Sequence, residues 1–296
     1  MLWTKFESGT VASEDGTEIY YEVRGDGPPI VLVYGIACIM NHWNLQIQHF
    51  AKTHSVITYD LRGHQRSLTN LNADHLNMDW MAKDLVCLLR ALKLKNVAAA
   101  GHSYGVPILI QSYLKAPELF DRLIFVNGFA RSPVKKMFGL DAVEKLFSFV
   151  HKTYNQAPSV FEQLWKSAVQ NPVSTYLAAF AGGFNLKVAS FKDVEIYSKG
   201  VAQMRLEHFM PLFGEMFELN MVSDLPALDL PVLVIEGEND LVTPKELQQD
   251  FMEHLPEKEY VRVPYGSHCT QLDFPDYVNL KIEKFLGRVI SENKLA

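Results

Sequence analysis

The chain has little cysteine: three residues in 296, Cys38, Cys87 and Cys269. That is too few for a disulfide framework, and their spacing matches no metal motif. Cys87 reads as a buried helix residue, while Cys38 and Cys269 read as small apolar fillers near the loops discussed below. Positive charge is not in surplus either. With 28 Lys and Arg against 34 Asp and Glu the formal net charge is −6, and no basic patch or recognition motif stands out, so nucleic acid is not an expected partner. No run of about eighteen apolar residues is present to span a membrane. The start, Met1-Leu2-Trp3-Thr4-Lys5-Phe6-Glu7, lacks the apolar core of a signal peptide, and a cytoplasmic location is the expectation. Repeats and linkers are also missing. What remains is ordinary globular material, 48% hydrophobic, enough for one large α/β domain carrying an insertion.

Two early strands, about 5–12 and 18–23, flank the turn Glu14-Asp15-Gly16 and read as a hairpin. After Gly27-Pro28-Pro29, strand and helix patterns alternate, which implies a parallel sheet with helices on both faces. The alternation stops between about 129 and 221. That stretch is helical in period, punctuated by Pro133, Pro158, Pro172 and Pro211. The expected division is a core of 1–128 and 222–296 with a helical cap of 129–221. Inserted after the sixth strand, the cap would overlie the carboxyl ends of the strands, where open α/β sheets bind ligands.

The segment from Val97 to Ile110 passes from a small-apolar strand through Gly101-His102-Ser103-Tyr104-Gly105 into an apolar helix. It has the form of a nucleophile elbow, in which a serine projects from a tight turn and small residues let strand and helix backbones pass closely. Ser103 is the candidate nucleophile. A serine hydroxyl needs a general base, and the base needs an acid to fix its tautomer. The run Leu230 to Gly237 reads as a buried strand followed by Glu238-Asn239-Asp240 and a helix opened by Thr243-Pro244. The next short strand, Tyr260 to Pro264, precedes Gly266-Ser267-His268 and a helix of about 275–289. Asp240 and His268 thus fall in successive loops at strand ends. His64, His102, His208 and His254 are rival bases, and Asp60 is a rival acid. Asn127, at the end of the strand Leu123 to Val126, cannot supply a charge.

The order Ser103, Asp240, His268, with the stretches Ala100 to Gly105, Gly237 to Pro244 and Gly266 to His268, resembles the α/β-hydrolase superfamily, in its cap-bearing serine esterase-like branch. The resemblance covers nearly the whole chain. It implies a mostly parallel, doubly wound eight-stranded sheet with an all-helical cap after the sixth strand. It also implies catalysis by Ser103, Asp240 and His268 without cofactor or metal. An oxyanion hole is implied at the amides of Tyr104 and Ile36, the latter in the loop after Ile30-Val31-Leu32-Val33. Two positions depart from the family pattern: Tyr34-Gly35 stands where His-Gly is usual, and Gln65 replaces a glycine in Tyr59-Asp60-Leu61-Arg62-Gly63-His64-Gln65-Arg66-Ser67. Asp60 and Arg62 read as hydrogen-bonded anchors of that loop.

Eleven of the 18 phenylalanines lie in the cap stretch. Tyr34, Phe129, Phe180, Phe184 and Phe213 are the candidate substrate contacts, and an aromatic cap over a serine favours an apolar acyl or alkyl group on a small-molecule substrate. Ala178 to Phe184, with its paired glycines, is a candidate hinge. The expected activity is carboxylic-ester hydrolysis through an acyl-enzyme. A serine at the elbow argues against the aspartate-based dehalogenase and epoxide-hydrolase chemistries of the same family. Lactonase, thioesterase, carbon–carbon hydrolase and perhydrolase activities use the same triad, and a ligand receptor with slow hydrolysis is the alternative outside catalysis.

Overall fold

The computed structural model describes residues 5–134, 136–137, 141–154, 156–169, 183–185, 187, 194–195 and 200–287. The hairpin forms as β1 (Phe6–Ala12) and β2 (Glu18–Arg24), which pair antiparallel. Then follow β3 (Pro29–Val33), β4 (Ser55–Tyr59), β5 (Val97–His102), β6 (Phe120–Val126), β7 (Val232–Gly237) and β8 (Lys258–Val263). They form one eight-stranded sheet in the order β1-β2-β4-β3-β5-β6-β7-β8. β2 joins β4 antiparallel, and every pairing from β4 to β8 across the sheet is parallel. Parallel strands covered on both faces need apolar residues at consecutive positions. Accordingly Ile30, Val31, Leu32 and Val33 are all buried, as are Val232 to Ile235.

The connecting helices between strands are α1 (Asn44–Phe50), α2 (Met78–Ala91) and α3 (Gly105–Lys115). After β6 come α4 (Asp141–Tyr154), α5 (Pro158–Val169) and α6 (Leu206–Glu218); after β7 and β8 come α7 (Lys245–His254), α8 (Thr270–Asp273) and α9 (Pro275–Leu286). Among the described residues from 129 to 221 no strand occurs beyond a single antiparallel bridge between Arg131 and Asn220. That bridge is flanked by hydrogen bonds from Met221 N to Ala130 O (2.6 Å) and from Ser132 N to Leu219 O (2.8 Å). The two ends of the helical insertion therefore meet.

Two local expectations need correction. Pro211 does not end a helix: α6 runs through it, losing one backbone hydrogen bond while burying Phe209, Met210, Leu212, Phe213 and Met216. Cys87 is half-buried rather than interior, because it lies at the edge of the apolar face of α2.

Candidate active site

α3 passes so close to β5 and β3 that two glycines are required there. A Cβ on Gly101 would lie 2.8 Å from the Gly105 carbonyl, and one on Gly105 would lie 2.4 Å from the Val33 carbonyl, both closer than packed atoms allow. Between them Ser103 adopts φ +53°, the left-handed region that a non-glycine residue seldom enters. Its backbone is held there by Ser103 N to Val126 O (3.1 Å) and Val106 N to Ser103 O (3.0 Å). This is the sharp strand-to-helix turn that the sequence pattern anticipates.

His268 and Asp240 meet across the loops after β8 and β7. His268 Nδ1 lies 2.9 Å from Asp240 Oδ2. The other carboxylate oxygen, Oδ1, accepts the amides of Val242 and Thr243, each at 2.8 Å. The Thr243 hydroxyl donates to Asp240 Oδ2 at 2.6 Å. One oxygen thus shapes the turn into α7 while the other meets the imidazole. All three of Ser103, Asp240 and His268 are buried. Among the described residues Ser103 Oγ and His268 Nε2 make no hydrogen bond to one another; such contacts often tighten only once substrate is bound.

Four further residues brace these groups and the loops around them. Asn127, with φ +46° at the end of β6, donates through Nδ2 to the carbonyls of Ser267 (3.0 Å) and His268 (2.6 Å), and accepts Gly237 N (2.7 Å). Thr243 Oγ1 also lies 3.0 Å from the Asn127 carbonyl, the alternative acceptor for its single proton. His102 Nε2 lies 2.8 Å from the His268 carbonyl. His64 sits under the loop after β3: the Ala37 amide donates to its Nε2 at 3.0 Å, while its Nδ1 lies 3.0 Å from Arg62 O. Burial pushes His64 down to about 4 and His42 down to about 3, the latter helped by His268, and His102 falls well below the usual imidazole value for the same reason. All three rings are therefore neutral at pH 7. A signal for Asn127 existed only as its place at a strand end; its partners come from two distant loops.

Gly35 lies against the serine, since a Cβ there would be 3.0 Å from Ser103 Cβ. The loop carrying Ile36 thus adjoins the elbow. The Tyr34 ring, expected at the substrate, is fully buried: its hydroxyl accepts the Leu61 amide at 2.9 Å and lies 3.5 Å from Asp60 Oδ1. It struts the β3 loop against the β4 loop. There Asp60 accepts Arg66 Nε at 2.6 Å, and Arg62 is wholly buried between Asp84 (2.7 Å from Nε) and Asp15 (2.8 Å from Nη1). Asp60 is thus occupied with Arg66, away from His268.

Of the aromatic candidates, Phe129 is fully buried and Phe213 packs on Phe209 at a ring separation of 5.1 Å, with Trp165 stacked on Phe209 at 5.1 Å. Phe184 packs with Val194, Leu272 and Cys269, next to His268. The neighbouring Gly183 carbonyl accepts the Cys269 amide (3.1 Å) and the Ser267 hydroxyl (3.2 Å). Part of the insertion therefore rests on the His268 loop. Phe180 and residues 178–182 of the candidate hinge lie outside the described residues. Burial pushes the Cys38 thiol up to about 12 and the Cys269 thiol well above its usual value.

The chain is 28% identical over 278 residues to a protein of Acinetobacter baylyi named (E)-2-((N-methylformamido)methylene)succinate hydrolase, covering 93% of this chain and 95% of that one. It is 26% identical over 292 residues to a non-heme chloroperoxidase of Streptomyces lividans, covering 94% and 99%. Among solved structures, an esterase from Exiguobacterium antarcticum superposes with a TM-score of 0.76 at 18% identity, over 95% of this chain and all of that one, a likeness of fold. The model of the alpha/beta hydrolase fold matches residues 28–275, and to that family the chain belongs.

Proposed function

We propose that the protein is a serine hydrolase that cleaves carboxylic esters through an acyl-enzyme. Ser103 Oγ attacks the carbonyl carbon while His268 Nε2 takes its proton; Asp240 holds Nδ1 and offsets the charge that the imidazole gains. The amides of Tyr104 and Ile36 receive the negative oxygen of the tetrahedral intermediate. His268 then protonates the leaving alcohol, and a water activated by the same imidazole releases the acid and restores Ser103. The observation that carries this reading is the 2.9 Å contact between His268 Nδ1 and an Asp240 carboxylate already locked by two amides and a hydroxyl, beside a serine held at φ +53°. Phe184 and Leu272, packed against Cys269, support an apolar acyl or alkyl group.

Hydrolysis of aryl esters of increasing acyl length, wild type beside Ser103→Ala, tests the reading. Turnover should fall by a factor on the order of ten thousand or more in the variant. Since the relatives carry names as different as chloroperoxidase and a succinate-derivative hydrolase, the panel includes a lactone, a thioester and peracid formation from acetate and hydrogen peroxide. Equal inactivity of both proteins on every ester would end the ester assignment.

A further inference from the structure

Against the His268 loop lies a second set of donor atoms, none of which takes part in a chemical step of ester hydrolysis. His42 comes from the turn Met40–Trp43 before α1, His102 ends β5, and Cys269 precedes α8. All three are buried, and one ligand atom from each lies within 4.8 Å of the others. The rings of His42 and His102 are 4.6 Å apart. Each is oriented from outside the cluster. His102 Nε2 is 2.8 Å from the His268 carbonyl, and His42 Nε2 is 2.7 Å from the Gln271 amide nitrogen; turning that amide over puts its unpartnered Oε1 on a protonated His42 Nε2 and presents the His42 lone pair at Nδ1. A carbonyl can only accept, so the neutral His102 ring carries its proton on Nε2 and presents a lone pair at Nδ1. That Nδ1 is buried with no hydrogen-bond partner among the described residues, a state that carries a desolvation cost. A carbonyl on the far nitrogen is also the usual way in which a metal-bound imidazole is aimed.

We propose that His42, His102 and Cys269 form a binding site for a monovalent d10 cation, Cu(I). The donor set, two imidazoles and one thiol, is soft and suits copper(I) or zinc rather than magnesium or calcium. Charge separates the first two. One cation of charge +1 with one thiolate leaves a neutral buried site, whereas a divalent ion would leave an unpaired positive charge in a dry interior. On binding, the Cys269 S–H bond breaks, an S–Cu bond forms, and the proton passes to solvent; copper enters as Cu(I) and no electron moves. Metal–nitrogen and metal–sulfur distances of about 2.0–2.3 Å set ligand atoms roughly 3.5 Å apart, so the cluster closes by about 1 Å from its present limit of 4.8 Å. This closure pulls on the main chain of His268 through its neighbour Cys269 and through the His102 contact to its carbonyl. Bound copper therefore slows turnover, a consequence that rests on the hydrolase reading, whereas the binding does not.

The experiment is an anaerobic titration of the full chain with Cu(I) against a chromophoric Cu(I) chelator, which reads binding without any substrate. The expected result is one ion per chain, with affinity reduced at least about a hundredfold in Cys269→Ser and in His42→Phe and unchanged in Cys87→Ser. No competition with the chelator, or equal binding by wild type and Cys269→Ser, overturns the proposal. Should the variants fail to fold, X-ray absorption of copper-loaded wild type decides: one sulfur with two imidazoles is required, and sulfur without imidazole, or nitrogen and oxygen alone, rejects the site. Aryl-ester turnover measured on the same samples should fall with copper occupancy and return on adding excess chelator. Absence of turnover before copper is added would count against the hydrolase reading and leave the binding result standing.

Discussion

Gln65 sits at φ +41°, where the family pattern carries glycine. A side chain in the left-handed region costs about 1–2 kcal/mol, and glycine gives back roughly half of that through its greater freedom in the unfolded chain. Gln65→Gly should therefore stabilise the protein by roughly 0.5–1 kcal/mol, seen as a higher urea midpoint with an unchanged slope; a lower midpoint would mean that the glutamine side chain earns its place by contacts. At this scale the sequence is legible wherever a role is local. The elbow glycines, Asp240 and His268 each announce themselves within a few residues of a strand end. Asn127 does not, because its amide serves carbonyls 140 and 141 residues away, and nothing near it in the chain encodes those partners. Tyr34 is likewise tied to a partner distant in the chain, since its hydroxyl accepts the Leu61 amide.

Among the described elements, α6 ties the insertion to the elbow. Its Glu215 accepts the first amide of α2, Met78 N, at 2.8 Å and the Tyr104 hydroxyl at 3.2 Å. Burial pushes its carboxyl above the usual range, opposed by these same two hydrogen bonds. A carboxylate at a helix N-terminus is favoured by the unpaired amides there. Glu215→Ala leaves a helix-end amide and a buried phenol unpartnered, and a loss of about 2–3 kcal/mol follows, measurable by denaturant unfolding. Tyr104→Phe, which removes one donor and leaves the Met78 contact, should lose about 1 kcal/mol; equal losses in the two variants would contradict this division. Strand positions were readable from continuous apolar runs, since sheet burial on both faces writes itself directly into composition. The passage of α6 through Pro211 was not, because the burial of five side chains around it outweighs a local signal.

For the molecule as a whole, the buried neutral histidines set how it meets acid. His64 in the fold is pushed down to about 4, against about 6.5 in an unfolded chain. Between those values the unfolded state binds the extra proton, so this contribution is fully present above about pH 6.5 and shrinks as pH falls toward 4, by about 1.4 kcal/mol per pH unit. Asp84 and Asp273, whose carboxyls burial pushes up, act with the opposite sign. The effect is therefore read as a difference: stability of His64→Gln measured at pH 6.5, 5.5 and 4.5 should decline less steeply than wild type by about that slope. Parallel curves would mean that His64 is already charged in the fold.

The bridge between Arg131 and Asn220 has an evolutionary reading. Because the chain leaves the sheet and returns to it at adjoining points, the stretch between them can lengthen, shorten or be exchanged with no change in strand register. Change can then accumulate in one continuous segment of the gene, while Ser103 on one side of it and Asp240 and His268 on the other are inherited untouched. A graft of the segment from a relative, joined at these two residues, is the laboratory form of the same freedom.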